Sequence, residues 1–229
     1  MANTTRNKPG VERITTETNP LDNLQVTYEK NKSRINTGLF VVLAVILGFF
    51  AYRQFVVQPK QNKANNAISF AQTFFQADSL NKALNGDGQH DGFLRIIKKY
   101  DGTKAANLAN YYAGVCYLQM NDAKNAIKYL KEFDAEGTNV QYAANGALGD
   151  AYMESGNVKE GIEHYNKAAG NKDDNLLTPL YLYRAGLAYE MNNQPDKAKD
   201  AYKRIRDEFP QSQQARDMDK HLARLGVID

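Results

Sequence analysis

Three segments of the sequence share one pattern of glycine, aromatic and small residues. They are residues 110–130, 145–165 and 182–202. In each segment an aromatic residue lies three positions after a glycine, a short polar turn follows, and a small residue lies twelve positions after that glycine. The glycines are Gly114, Gly149 and Gly186, the aromatics are Tyr117, Tyr152 and Tyr189, and the small residues are Ala126, Gly161 and Ala198.

This spacing predicts pairs of antiparallel helices. Residues three apart share one helix face, so each glycine and its aromatic point the same way. A glycine or alanine lets the second helix approach closely, and position sixteen after the glycine holds Leu130, Tyr165 and Tyr202. Each hairpin can bury its apolar face only against its neighbours, which predicts an all-α fold built as a solenoid.

The pattern resembles the tetratricopeptide repeat (TPR) family, whose repeat is 34 residues long. The resemblance covers residues 107–212 and includes Pro210, which closes the third unit. The sequence departs from the family at the usual tryptophan position, and its first two units lack the closing proline. That tryptophan position holds Asn110, Asn145 and Leu182. The resemblance implies a protein-binding module.

The regions on either side of the three units also carry helical patterns. Residues 58–106 are interpreted as a degenerate first helical repeat and a linker. Residues 213–229 are interpreted as a C-terminal capping helix, because one side of this segment is apolar and the other charged. Its apolar stripe consists of Ala215, Met218, Leu222 and Leu225. Such a helix covers the core face that the last repeat would otherwise expose.

The stretch from Ile35 to Tyr52 contains no charged residue. Since about 20 helical residues cross a bilayer core, residues 35–57 are predicted to be a transmembrane helix that anchors the chain in a lipid bilayer. A buried core helix and a cleaved signal peptide are the alternatives. Residues 1–34 are polar and predicted to be a disordered tail, with a short helix starting near residues 24–28 as the alternative. The cations of this tail favour a cytoplasmic N-terminus.

In TPR proteins the first helix of each unit lines a groove, so the resemblance assigns a protein-binding groove here. The alternative is that several of these side chains pack inside the solenoid. The expected surface is apolar with a few carboxylates, and it lacks the Lys, Asn and Arg clamp that binds chaperone C-termini. The groove residues are Tyr111, Val115, Leu118, Gln119, Gly146, Asp150, Met153, Glu154, Tyr183, Leu187, Glu190 and Met191.

No catalytic constellation is found, so we expect a protein that is not an enzyme and needs no cofactor or metal. Asp87, His90 and Asp91 lie in a glycine-rich loop that could hold a cation, but their spacing matches no EF-hand. The single cysteine, Cys116, is expected to be buried. The net charge of +3 gives no reason to expect nucleic acid.

The order of tail, span and repeats resembles the YfgM-like proteins of the bacterial inner membrane. The resemblance rests on this layout and on local similarity in residues 93–114. It implies a periplasmic TPR domain and an adaptor role, with Sec translocon subunits and a PpiD-like periplasmic chaperone as partners. A scaffold for envelope assembly or cell division, of the Tol-Pal or outer-membrane assembly type, is the first alternative. A receptor facing the cytosol is the second.

Overall fold

A computed structural model describes residues 20–138 and 140–227 of the chain, and helices dominate this part. The chain divides into two units, Met1–Val56 and Val57–Asp229. The N-terminal unit contains one long helix. The second unit contains the repeats and is called the repeat unit below.

The helix of the N-terminal unit is longer than expected. Helix α1 spans Pro20–Tyr52, and a π-helical stretch follows at Arg53–Val57. The prediction of a disordered tail up to residue 34 is therefore wrong from Pro20 onward. No glycine or proline lies between Pro20 and Gly38, and extending an existing helix costs far less than starting one. The rest of the tail, residues 1–19, lies outside the described residues.

The apolar side chains of α1 between Tyr28 and Tyr52 are exposed on all sides of the helix. Phe40 is 75% exposed and Phe55, in the π-helical stretch, is 78% exposed. Within the described residues, one helical stretch, Tyr28–Gln76, is long and apolar enough to cross a membrane by length and composition. None of its apolar window is buried, which distinguishes it from the core helix of a globular protein.

The repeat unit begins with three helices that precede the repeats. These are α2 (Gln58–Gln76), α3 (Leu80–Asn85) and α4 (Phe93–Lys99). Ile68, Phe93 and Ile96 are buried in one core cluster that also contains Cys116. The region predicted to be a degenerate repeat thus packs directly against the first hairpin.

Three helical hairpins follow. The first pairs α5 (Lys104–Gln119) with α6 (Ala123–Glu132), the second α7 (Gln141–Glu154) with α8 (Val158–Ala168), and the third α9 (Leu177–Met191) with α10 (Pro195–Glu208). Each hairpin turn contains one residue with a positive φ, namely Asn121, Gly156 and Asn193. Asparagine and glycine are the residues that adopt this conformation most easily, which explains the polar turns of the sequence.

The chain ends in a helix that covers the third hairpin. A 3₁₀ turn at Gln214–Asp217 leads into α11 (Met218–Arg224), so the regular helix is shorter than the predicted segment 213–229. Met218 and Leu222 are each 1% exposed, and Ala215 and Leu225 pack beside them. The predicted apolar stripe therefore faces the core of the third hairpin.

Candidate protein-binding face

The central glycine of each hairpin touches the residue sixteen positions later. A Cβ atom on Gly149 would lie 2.4 Å from the ring of Tyr165, and one on Gly186 would lie 2.3 Å from the ring of Tyr202. In the first hairpin a Cβ on Gly114 would lie 2.5 Å from Leu130. These distances are too short for any real Cβ, so an alanine at any of the three positions would force the facing side chain to shift.

The other repeat-packing residues lie within the hairpins, between neighbouring hairpins or, for Pro210, just after the third hairpin. Tyr117 stacks on Tyr129 with ring centroids 5.5 Å apart, and Tyr152 stacks on His164 at 5.3 Å. The Tyr189 hydroxyl accepts a 2.8 Å hydrogen bond from the amide of Asn166 in the preceding hairpin. Ala126 and Ala198 are fully buried, Gly161 is buried, and Pro210 is exposed just after α10.

Asp150 stands at the centre of a cluster that joins the second hairpin to the third. The Tyr165 hydroxyl donates a 2.7 Å hydrogen bond to Asp150 Oδ1. The guanidinium of Arg184 donates to both oxygens of the same carboxylate. One carboxylate thereby connects α7, α8 and α9.

Glu190 forms the corresponding cluster one hairpin later. The Tyr202 hydroxyl donates to Glu190 Oε1 at 2.6 Å, and Arg224 Nη2 donates to both carboxylate oxygens at 2.7 and 2.8 Å. This carboxylate connects α9, α10 and α11. We call these groups the Asp150 cluster (Asp150, Tyr165, Arg184) and the Glu190 cluster (Glu190, Tyr202, Arg224).

Burial keeps both tyrosines in their protonated form. It raises the pKa of Tyr165 well above its usual value of 10.0, and the negative charge of Asp150 raises it further. Burial and the bond to Glu190 act in the same way on the pKa of Tyr202. A tyrosine hydroxyl of ordinary pKa is already protonated at neutral pH, and these shifts keep both hydroxyls hydrogen-bond donors to the carboxylates into alkaline pH as well.

The first hairpin has apolar residues where the clusters stand in the others. Tyr111, Val115 and Leu118 are partly buried against a small core formed by Leu130, Ala147 and Leu148. The Tyr111 ring lies 5.6 Å from the Phe133 ring, and burial raises the pKa of its hydroxyl. The α5 side of the face is thus apolar, and these three side chains pack partly within the solenoid, which is the alternative stated from the sequence.

The remaining groove residues occupy different environments. Gln119 and Glu154 are exposed, Met191 is 66% exposed and Leu187 is half-buried. Tyr183 lies against Tyr202 and His221, with centroids 6.3 and 5.4 Å away. Met153 packs inside its own hairpin, because a Cβ on Gly161 would lie 2.7 Å from its sulfur.

The sequence reasoning missed the partners of the two carboxylates. It anticipated carboxylates among the groove residues but assigned no role to Arg184 or Arg224. It also missed Tyr181, whose ring lies directly over Gly146. One signal was present: Asp150 and Arg184 are 34 positions apart, and so are Glu190 and Arg224. Opposite charges one repeat length apart suit a contact between neighbouring units.

The candidate cation loop has its carboxylates otherwise engaged. Asp87 accepts from the backbone N–H of His90, contacts the His90 ring and accepts from the backbone N–H of Gln89, and these hydrogen bonds lower its pKa to about 2. Asp91 pairs with Arg95 and Lys99. Among the described residues no three His, Cys, Asp or Glu side chains come together to hold a metal. Cys116 is buried, and burial raises the pKa of its thiol to about 12.

Comparison with known proteins gives the class of the repeats. One tetratricopeptide repeat model matches residues 108–135 and 181–212, and a second matches residues 142–175. A crystal structure of nearly identical TPR-like repeats from a putative kinesin light chain of Podosopora anserina, solved as a point variant, is similar in fold. The match covers 72% of this chain and 85% of that one, with a TM-score of 0.54 and 13% identity.

A second structure of the same repeats agrees. The match covers 72% of this chain and 96% of that one, with a TM-score of 0.50 and 11% identity. No curated protein matches the chain. The repeat unit is therefore a solenoid of tetratricopeptide repeats, and proteins with such repeats generally bind other proteins.

Proposed function

We propose that the protein is a membrane-anchored, non-enzymatic TPR adaptor that binds protein partners on the side of the repeat unit formed by α5, α7 and α9. The observation that carries this proposal is the surface of those three first helices. It combines the partly buried apolar residues Tyr111, Val115 and Leu118 with the exposed Met191. Apolar and methionine side chains beside polar ones suit an amphipathic helix or an extended peptide.

The proposed anchor is the apolar part of α1. Its side chains are exposed in every direction, and no charge occurs between Ile35 and Tyr52. An exposed apolar surface of this length is unfavourable in water and favourable in a bilayer. The protein should remain in the membrane fraction after carbonate extraction, and its release by carbonate would reject the anchor.

The proposed orientation places the N-terminus in the cytoplasm and the repeat unit in the periplasm of a bacterial inner membrane. It is supported by the cations of residues 1–34 and by the layout shared with YfgM-like proteins. In a Cys116→Ala background, Gln211→Cys should react with an impermeant maleimide added outside the membrane, and Ser33→Cys should not. The reverse labelling would reject this orientation.

The proposed partners are Sec translocon subunits and a PpiD-like periplasmic chaperone, on the strength of the same layout. The test is purification of the full-length protein in mild detergent, followed by quantitative mass spectrometry. Met191→Glu changes an exposed apolar residue at the end of α9, and Leu176→Glu is a matched control because Leu176 is 77% exposed in the loop before α9.

The expected result is that translocon and chaperone subunits co-purify and that Met191→Glu lowers the chaperone yield while Leu176→Glu does not. Equal loss in both variants would reject the proposed binding face. Recovery of envelope-assembly or division proteins alone would replace these partners and leave the adaptor role in place.

A further inference from the structure

Four lysines lie at the edge of the repeat unit that directly follows α1. Lys60 and Lys63 are in the first turns of α2, Lys98 is in the last turn of α4, and Lys104 is the first residue of α5. All four side chains are exposed. We call this surface the basic edge (Lys60, Lys63, Lys98, Lys104).

Two hydrogen bonds hold the parts of the basic edge together. Lys60 Nζ donates to the backbone carbonyl of Asp101 at 2.7 Å, and the backbone N–H of Lys104 donates to Gln61 Oε1 at 3.2 Å. The start of α2 is therefore fixed to the loop between α4 and α5. Residues about 40 positions apart in sequence present their charges on one edge.

The positive charge of the basic edge is only partly balanced. Among the described residues, no carboxylate lies within ion-pair distance of these lysines, whereas the nearby Lys99 and Arg95 both pair with Asp91. The exposed carboxylate within the edge itself is that of Asp101. Lys104 also borders an open cleft of about 640 Å³ whose lining includes Lys128, Glu132 and Asp134, so both signs of charge occur on that side of the basic edge.

Chain connectivity brings this edge to the membrane surface if α1 spans the bilayer. Lys60 is three residues from Val57, where the apolar stretch ends, and in a helix three residues rise about 4.5 Å. That distance is shorter than the Debye length of about 8 Å at physiological ionic strength, within which lysines interact strongly with an anionic surface.

We infer that the basic edge binds the headgroups of anionic lipids and so fixes the repeat unit against the bilayer. This inference rests on the proposed membrane anchor. It adds an electrostatic contact with the bilayer, made by headgroups on α2, α4 and α5, to the hydrophobic contact of the proposed anchor.

The test uses the full-length protein in nanodiscs of phosphatidylcholine alone or with 30 mol% phosphatidylglycerol, and measures amide hydrogen exchange in residues 97–106. We expect about five-fold slower exchange in the anionic discs, the factor for one lysine near an anionic surface, and loss of this difference in high salt. The difference between the two kinds of disc should disappear in the basic-edge variant Lys60→Gln/Lys63→Gln/Lys98→Gln. It should remain in the control variant Lys159→Gln/Lys203→Gln/Lys220→Gln, which changes three distant exposed lysines.

Three results would overturn the inference. Equal exchange in the two kinds of disc would show that anionic headgroups do not bind. Equal loss of protection in both triple variants would show a general charge effect. Protection in neutral discs on addition of inorganic phosphate would identify a site for soluble anions. Failure of the chain to enter discs at all would reject the anchor itself, which is a separate observation.

Discussion

The first hairpin differs from the two that follow in the side chain that packs against its central glycine. In the first, Leu130 packs on Gly114, and apolar residues continue to the next unit. In the second and third, a tyrosine packs on the glycine and its hydroxyl binds a carboxylate that also pairs with an arginine of the following element. The same hairpin is therefore compatible with a purely apolar contact or with an added polar one.

This difference shows that the residue sixteen positions after the glycine can have two separate roles. Filling the space beside the glycine requires only a side chain of suitable size, which Leu130 provides. Connecting one hairpin to the next requires a directional partner, which Tyr165 and Tyr202 provide through Asp150 and Glu190. We expect the C-terminal half of the solenoid to be held more rigidly than the N-terminal half.

The largest expected effect is that of Gly149→Ala. The new Cβ would overlap the Tyr165 ring, which is held by its bond to Asp150 and cannot turn away. Overpacking of this kind costs about 1–3 kcal/mol, partly offset by the better helix propensity of alanine. Urea unfolding of the full-length protein in detergent, followed by circular dichroism, measures the change.

Gly114→Ala is the control for that experiment. Its new Cβ would lie 2.5 Å from the Leu130 side chain, which has no hydroxyl bond and can change rotamer, and 3.1 Å from Leu130 N, which has to shift by only a few tenths of an ångström. We expect a smaller loss of stability than for Gly149→Ala. An equal or larger loss would contradict the idea that the polar cluster fixes the tyrosine ring.

Asp150→Ala should have the next largest effect. It leaves the buried Tyr165 hydroxyl and the Arg184 guanidinium without their acceptor. Unsatisfied groups of this kind cost about 1–3 kcal/mol, and the lower half of that range applies because the carboxylate is 29% exposed. Val115→Ala changes the corresponding residue of the first hairpin and should lower the urea midpoint less.

Tyr202→Phe isolates the hydroxyl of the Glu190 cluster. The ring contact with Gly186 stays and only the 2.6 Å hydrogen bond is lost, so we expect a cost of about 1 kcal/mol. Hydrogen exchange should speed up in α9 to α11 and stay unchanged in α5 and α6. Faster exchange throughout the solenoid would argue against a local role.

The last expected effect, the ionisation of the buried tyrosines, is absent at neutral pH and appears in alkali. Because the folded-state pKa values of Tyr165 and Tyr202 are raised, both contribute stability that is complete below pH 10 and is lost as the pH rises above it. Each should cost about 1.4 kcal/mol at pH 11. Tyr165→Phe/Tyr202→Phe should therefore flatten the fall of the urea midpoint between pH 9 and 11, and an unchanged slope would contradict the burial of these hydroxyls.

The helices and the glycine contacts could be predicted from the sequence because both follow local rules. Helical spacing and the need for small residues act within one hairpin, as at Gly149 and Ala126. The partners of Asp150 and Glu190 could not be predicted in that way, since they come from the next element along the chain. Only the 34-residue separation of opposite charges pointed to them.

Two other differences between the sequence predictions and the structure have simple physical reasons. Helix α1 starts at Pro20 because the polar residues before the apolar run contain no helix breaker. Met153 was assigned to the groove from its position in the first helix, whereas its flexible side chain fills the space left by Gly161. The groove position of a residue thus does not determine where a long side chain packs.

The most direct test of the adaptor account is photo-cross-linking in living cells. A benzophenone amino acid would replace Gln119 or Met191, both exposed at the ends of first helices, or Leu176 in the loop before α9 as the control. The account predicts cross-linked partner proteins from positions 119 and 191 and none, or far fewer, from position 176. Equal cross-linking from all three positions, or from position 176 alone, would contradict binding on the α5, α7 and α9 side.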